Sequence, residues 1–200
     1  FVASATHSDK HGNHLSVIYE AWRGGYNYSY MMANDMNGDG YNYDALYIPT
    51  DAEVENGLFR FVSESDKTRF MDYVHNNDYL KDHQGEYAEA YSVYSPWVHR
   101  VDLSYKHDFK VKAGKTTHKL QLSCDIKNVL NLFNSEWGVS KVMNSTLNSG
   151  RILKFEGTDA QGYPTFSTPS AVNADTKTWI RNHAIGQCWY ASVGIKYIFN

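Results

Sequence analysis

The stretch HRVDLSYKHDF, His99 to Phe109, alternates side-chain character residue by residue. Val101, Leu103, Tyr105 and Phe109 fall on one face, and Asp102, Ser104, Lys106 and Asp108 fall on the other. A period of two is the signature of a strand with one apolar and one polar side. His107 is the single polar residue in the apolar row. After the turn KAGKTT, the run HKLQLSCDIKNVL repeats the device, with Leu120, Leu122, Cys124 and Ile126 opposite Gln121, Ser123, Asp125 and Lys127. Two alternating runs joined by a short glycine-containing tip predict a β-hairpin.

The same pattern extends outward from this hairpin. CWYASVGIKYIF near the C-terminus places Trp189, Ala191, Val193, Ile195, Tyr197 and Phe199 in one row. HLSVIYEAW contributes Leu15, Val17, Tyr19 and Ala21, and after Gly24-Gly25 the run YNYSYMM offers Tyr26, Tyr28, Tyr30 and Met32. These make five strand candidates, several as long as the ~9–11 residues that a tilted membrane strand needs.

Composition narrows the classes. The chain has 16 Tyr, 9 Phe and 5 Trp among 200 residues but no long aliphatic run. Its mean hydropathy is -0.55. A transmembrane helix is excluded, whereas a β-barrel is not, because alternating strands never build a strong hydropathy peak. A net charge of -3 with both signs interspersed offers no basic stripe for phosphate neutralisation, so nucleic acid is not an expected partner. Cys124 and Cys188 are too few for a disulfide scaffold or a zinc set. Their strand phases predict that they face opposite sides of a sheet and form no disulfide.

Two long connections separate the strands. The first, 34–96, contains SESDKTRFMDYVHNNDYL, whose Phe70, Tyr73, Val74 and Leu80 predict one side of a short helix. The second, about 131–187, contains RILKFEG and GYPTFS as short strands. Short turns at one end of the strands and long loops at the other are the habit of outer-membrane barrels. No repeat or low-complexity linker marks an internal domain boundary, so residues 1–200 read as one segment.

The first connection opens on NDMNGDGYNYDALYIP, Asn34 to Pro49. Asp35, Asn37 and Asp39 stand at alternate positions before Gly40, as in the first half of an EF-hand loop. The twelfth position, where a bidentate Glu would close the shell, is Leu46. One reading is a Ca²⁺ site formed by Asp35, Asn37, Asp39, the Tyr41 carbonyl and Asp44. The other is turn chemistry, since Asn-Gly and Asp-Gly pairs are favoured wherever φ is positive.

Taken together, DMNGDGYNYDALYIP, PWVHRVDL, DIKNVLNLFNSEWG and the closing SVGIKYIF resemble the C-terminal barrel segment of Bacteroidetes TonB-dependent outer-membrane receptors of the SusC-like and Oar-like type. Ser192, Gly194, Tyr197 and Phe199 look like the assembly signal of that class, with Asn200 following the terminal aromatic. The resemblance implies an all-β fold: the last antiparallel strands of a transmembrane barrel of about 22 strands around a plug, with long extracellular loops. It implies nutrient uptake of a glycan, peptide or chelate. The implied partners are the remaining barrel and plug, TonB through parts outside this chain, a surface lipoprotein, the barrel assembly machinery and outer-membrane lipid.

No catalytic motif occurs. There is no G-x-S-x-G and no H-E-x-x-H pair, and His99, His107 and His183 read as strand-end or interfacial residues. Trp97 and Trp189 flank apolar strands and read as members of an interfacial belt, while Trp137 and Trp179 in the second connection could instead stack on sugar rings. A contrasting reading is a soluble, secreted β-sandwich that binds carbohydrate with calcium support. A sandwich buries Val101, Leu103, Leu120, Leu122, Val193 and Ile195 together, whereas a barrel turns them outward. A third is a receptor-type barrel serving only as a scaffold in an outer-membrane assembly complex.

Overall fold

The computed structural model describes residues 1–24 and 27–199, apart from the side chain of Phe199. Tyr26 of the tyrosine row, the Phe199 ring and Asn200 of the closing signal therefore lie outside the described residues. The chain forms two compact units. Phe1–Gly24, Pro96–Lys141 and Arg181–Asn200 make one, called here the wall; Gly25–Ser95 and Val142–Ile180 make the other, the loop unit. The two long connections that interrupt the sequence pattern thus come together as a unit with its own core.

The wall is a five-stranded sheet of Val2–Ser8, Asn13–Arg23, Trp97–Ala113, Thr116–Lys127 and Tyr190–Phe199, in that order. Every neighbouring pair is antiparallel. Their register aligns the alternating rows, so that Leu15, Tyr105, Cys124 and Val193 stand side by side, as do Val17, Leu103, Ile126 and Ala191. One face is therefore apolar across all four longer strands. Both chain reversals are tight. At the first, the Asp9 carboxylate accepts from the amides of His11 and Asn13 at 2.8 and 2.9 Å. The Asn13 side-chain amide, bonded to the same carboxylate, is the main reason Asp9 is held down to about 2. Gly12 there has φ +90°, and a Cβ would lie 2.7 Å from the Asp108 carbonyl. The second reversal turns on Gly114 at φ +64°, as the KAGKTT stretch predicts.

The apolar face of the wall is largely exposed. Val193 is 79% exposed and Ile195 73%, and Leu120 and Leu122 keep more than a third of their surface. Val101 and Leu103 are half-buried. Every residue of the buried apolar cluster belongs to the loop unit. The opposite face is polar and internally paired: the Asp108 carboxylate receives Lys119 at 2.5 Å, Gln121 at 2.7 Å and His14 at 3.1 Å, and Lys127 meets Asp102 at 2.7 Å. Among the described residues, Val2–Ser8 and Tyr190–Phe199 each pair on one side only. The sheet does not close on itself.

The loop unit is built differently. Met31–Ala33, Arg151–Thr158, Pro164–Ser167 and Arg60–Phe61 form a mixed sheet with an antiparallel central pair and parallel outer pairs. Helix Glu64–Asn76 starts where the Ser63 hydroxyl accepts from the Asp66 amide at 3.1 Å. Its helical spacing buries Phe70, Met71, Tyr73 and Val74, and Leu80 is buried on the next short helix, Asp78–Asp82, as the sequence pattern predicts. Phe59 and Phe166 stack at 4.4 Å with planes 8° apart. A hydroxyl network closes the core: Tyr30, Tyr73, Thr178 and Asn77 bond one another at 2.8–3.3 Å. Burial pushes the Tyr30 and Tyr73 hydroxyls upward.

One strand expectation needs correction. YNYSYMM is not a wall strand; it supplies Asn27–Tyr28 and Met31–Ala33 to the loop unit, where Tyr30 and Met32 are buried. The alternation is real, but it faces a core rather than a bilayer or solvent. Its place in the wall is taken by Val2–Ser8, all of whose residues are exposed.

Candidate functional site

The Asp35–Asp44 loop is organised by its own backbone. Asp35 accepts from the Gly38 and Gly40 amides at 2.7 Å each. Asn37 and Asp39 accept from the Asp39 and Tyr41 amides at 2.9 and 2.8 Å, and Asp44 accepts from Met36 at 2.8 Å. The Asn37 side-chain nitrogen sits between Asp39 and Asp44, at 3.2 and 2.9 Å. Carboxylate and amide oxygens suit Ca²⁺, yet here an N–H occupies the point where Asp39 and Asp44 meet, so a cation requires the Asn37 amide to turn. Among the described residues no three His, Cys, Asp or Glu side chains are grouped to hold a metal.

Next to this loop the unit carries two hollows that share Tyr43. The larger, about 460 Å³, is lined by Tyr28, Tyr30, Met31, Ala88 and Tyr91 among others. The smaller, about 390 Å³, is polar, with Asn34, Asn42, Asn148 and Arg151 in its lining. Tyr43 stacks on Tyr41 at 6.4 Å and carries the Arg151 guanidinium at 5.3 Å from its ring centre. Tyr41, Tyr43 and Tyr91 are each about two-thirds exposed. Of the five described non-glycine residues with left-handed backbone, four line these hollows: Asn34, Tyr91, Asn148 and Ser149. Asn adopts this conformation readily, whereas for Tyr91 and Ser149 it costs of order 1–3 kcal/mol, and such strain gathers at ligand sites. Sequence reading reached Tyr41 and Asp44 but not this cleft, because Ala88–Tyr91 and Asn148–Arg151 are distant in sequence and carry no motif.

The wall has a polar knot of its own, built within the DIKNVLNLFNSEWG stretch. Asn128, at φ 54° and ψ 50°, ends the strand and precedes helix Val129–Phe133. Its side-chain amide donates to the carbonyls of Gly138 at 3.1 Å and Gln187 at 2.8 Å. Arg100 donates to the same Gly138 carbonyl at 2.9 Å and to the Gln187 side chain at 2.9 Å, with its guanidinium over Trp22. At Gly138, φ 65°, a Cβ would lie 1.9 Å from the Asn128 oxygen. Asn128 is thus a structural fastener, and Arg100 and Gln187 are partners the sequence does not announce.

The other singled-out residues fall as follows. Ser192 and Gly194 lie opposite Asp125 and Ser123 on the polar face, whereas Tyr197 lies opposite Leu120 on the apolar face and bonds His118. Both thiols are free; Cys124 stands in the apolar row, and Cys188 precedes the last strand, outside the phase assigned to it. His99 bonds the Tyr19 hydroxyl at 2.7 Å and His107 the Asn13 side chain at 2.7 Å. Trp97 opens its strand half-exposed and Trp189 lies just before the last one; Trp137 is half-exposed, and Trp179 packs edge-on against Tyr28 beside the core. The chain matches no protein-family model, no curated protein and no solved structure.

Proposed function

We propose that this chain is the C-terminal wall segment of a TonB-dependent transport receptor in a Gram-negative outer membrane, supplying barrel strands, an assembly signal and extracellular loops for nutrient uptake. The observation that carries the reading is the wall's uncovered apolar face on strands arranged in chain order, with tight reversals at one end. From Val101 to Val111 the apolar row of Trp97–Ala113 runs ~33 Å along the strand, or ~25 Å of height at a tilt of ~40°, which matches the band a barrel presents to lipid. Of the residues a sandwich would bury together, Leu120, Leu122, Val193 and Ile195 each keep more than a third of their surface, which favours the barrel over that alternative. Further strands of the same barrel would pair with Val2–Ser8 and Tyr190–Phe199, since an open edge is not tolerated in lipid. Energy would come from TonB acting on a plug outside this chain. Ca²⁺ at Asp35, Asn37, Asp39 and Asp44, with the Tyr41 carbonyl, would stiffen an external loop.

Membrane fractionation tests the proposal. The chain, expressed within its full protein, is expected in the outer-membrane fraction, released only by detergent. Recovery as a monodisperse soluble protein without detergent overturns it.

A further inference from the structure

The net charge of -3 conceals a separation. The loop unit holds sixteen acidic against seven basic side chains, a net -9, while the wall holds six against twelve, a net +6. A unit so charged concentrates cations at its surface and repels anions, and it speeds association with cationic ligands by ~10–10³-fold at low salt. The larger hollow beside Tyr43 adds local chemistry to that field. Among the described residues no basic side chain lines it, and two of the four segments framing it carry a carboxylate at its edge: Asp44 beside Tyr43 and Ala45, Glu89 beside Ala88 and Ala90. Glu89 is exposed. Tyrosine faces attract cations through the ring quadrupole. The loop unit already uses that chemistry internally, with Arg151 over Tyr43 and Arg60 over Tyr163, the latter 3.9 Å from the ring centre.

We infer that this hollow binds a cationic peptide segment, seating a lysine or arginine side chain with its methylene stem on Met31 and Ala88 and its charged head against the exposed ring of Tyr91. The inference rests on reading the loop unit as the ligand-facing part of a receptor, and narrows that receptor's ligand to basic peptides. Charge decides against acidic glycans and anionic chelates. The smaller hollow, with Arg151 beside three asparagines, would take the peptide's carbonyl groups.

The test is fluorescence anisotropy with the full receptor in detergent and short labelled peptides carrying lysine or arginine. The controls are the same peptides with lysine acetylated or replaced by glutamate. The basic peptides are expected to bind, with affinity falling as salt rises, and the controls to bind at least roughly tenfold more weakly. Tyr91→Ala and Glu89→Lys should each weaken binding roughly fivefold. Glu55→Lys makes the same charge change at another exposed position of the unit and should have a smaller effect. Equal binding of acetylated peptide, no binding at all, or equal losses for Glu55→Lys and Glu89→Lys overturns the site. Fractionation of the same cells keeps the two proposals apart: an outer-membrane protein that fails to bind loses the peptide site alone, and a soluble one loses the receptor.

Discussion

Ile152 and Ile195 are the same residue type in strands of similar length, yet Ile152 has no exposed surface and Ile195 keeps 73% of its own. The difference runs through the two units. In the loop unit, period-two and helical apolar rows converge on one cluster, where Phe70, Leu147, Ile152 and Leu153 exclude water completely. In the wall the same kind of row stays largely exposed, as at Val193, Ile195 and Tyr197. Burying an aliphatic side chain stabilises by ~1.5–3 kcal/mol, a gain the loop unit collects internally and the wall leaves to whatever surrounds it. Identical residue patterns therefore describe a core in one unit and an outer surface in the other.

The comparison can be broken first at its most buried point. Phe70→Ala should destabilise the loop unit by about 3–5 kcal/mol, the usual cost of emptying an aromatic site. Limited proteolysis should show cleavage between Gly25 and Ser95 while the wall strands stay protected. Loss of the wall at the same denaturant concentration would mean that the units do not fold as separate cores. A smaller effect sharpens the other side. Val193→Arg places a cation in the middle of the wall's apolar face and should cost about 2–4 kcal/mol in lipid. In water a residue 79% exposed would tolerate the change within about 0.5 kcal/mol. Folding yield into detergent or vesicles separates the outcomes, and a neutral result removes the lipid from the argument. The smallest effect concerns the acidic loop. Ca²⁺ should slow proteolysis near Met36 a few-fold, about what an ordered turn contributes, and Asp35→Asn should abolish the protection. Indifference to both Ca²⁺ and EDTA would leave Asp35 to its bonds with Gly38 and Gly40.

Much of the wall was legible because alternation is a local signal. The strands around Val101, Leu122 and Ile195 and the turn at Gly114 follow from it directly, as does the helix that buries Phe70 and Val74. Val2–Ser8 escaped because Ala3, Ala5 and His7 make a faint row with no large apolar side chain. Tyr30 and Met32 misled because a half-buried strand and a core strand share one period, and only the distant partners Arg151–Thr158 decide between them. The Asp35, Asn37 and Asp39 spacing announced an oxygen-rich loop but not its bonding, which depends on where the Asn37 amide turns. The Tyr43 cleft was silent, being assembled from three regions, 27–45, 88–91 and 148–151, that lie far apart in the chain.

The loop unit's divided chain also sets an order in time. Tyr30 and Phe70 belong to the segment before the central hairpin, and Leu147, Ile152, Leu153 and Phe166 to the segment after it. As the chain is made, the first segment emerges with half a core and waits while Trp97–Lys127 follows. Those two strands are joined by a short turn and can pair at once, whereas the earlier aromatics stay uncovered until Phe166 arrives. Any chaperone that escorts this chain would find its most persistent grip on residues 25–95, and a truncation anywhere before Phe166 would leave that grip unreleased.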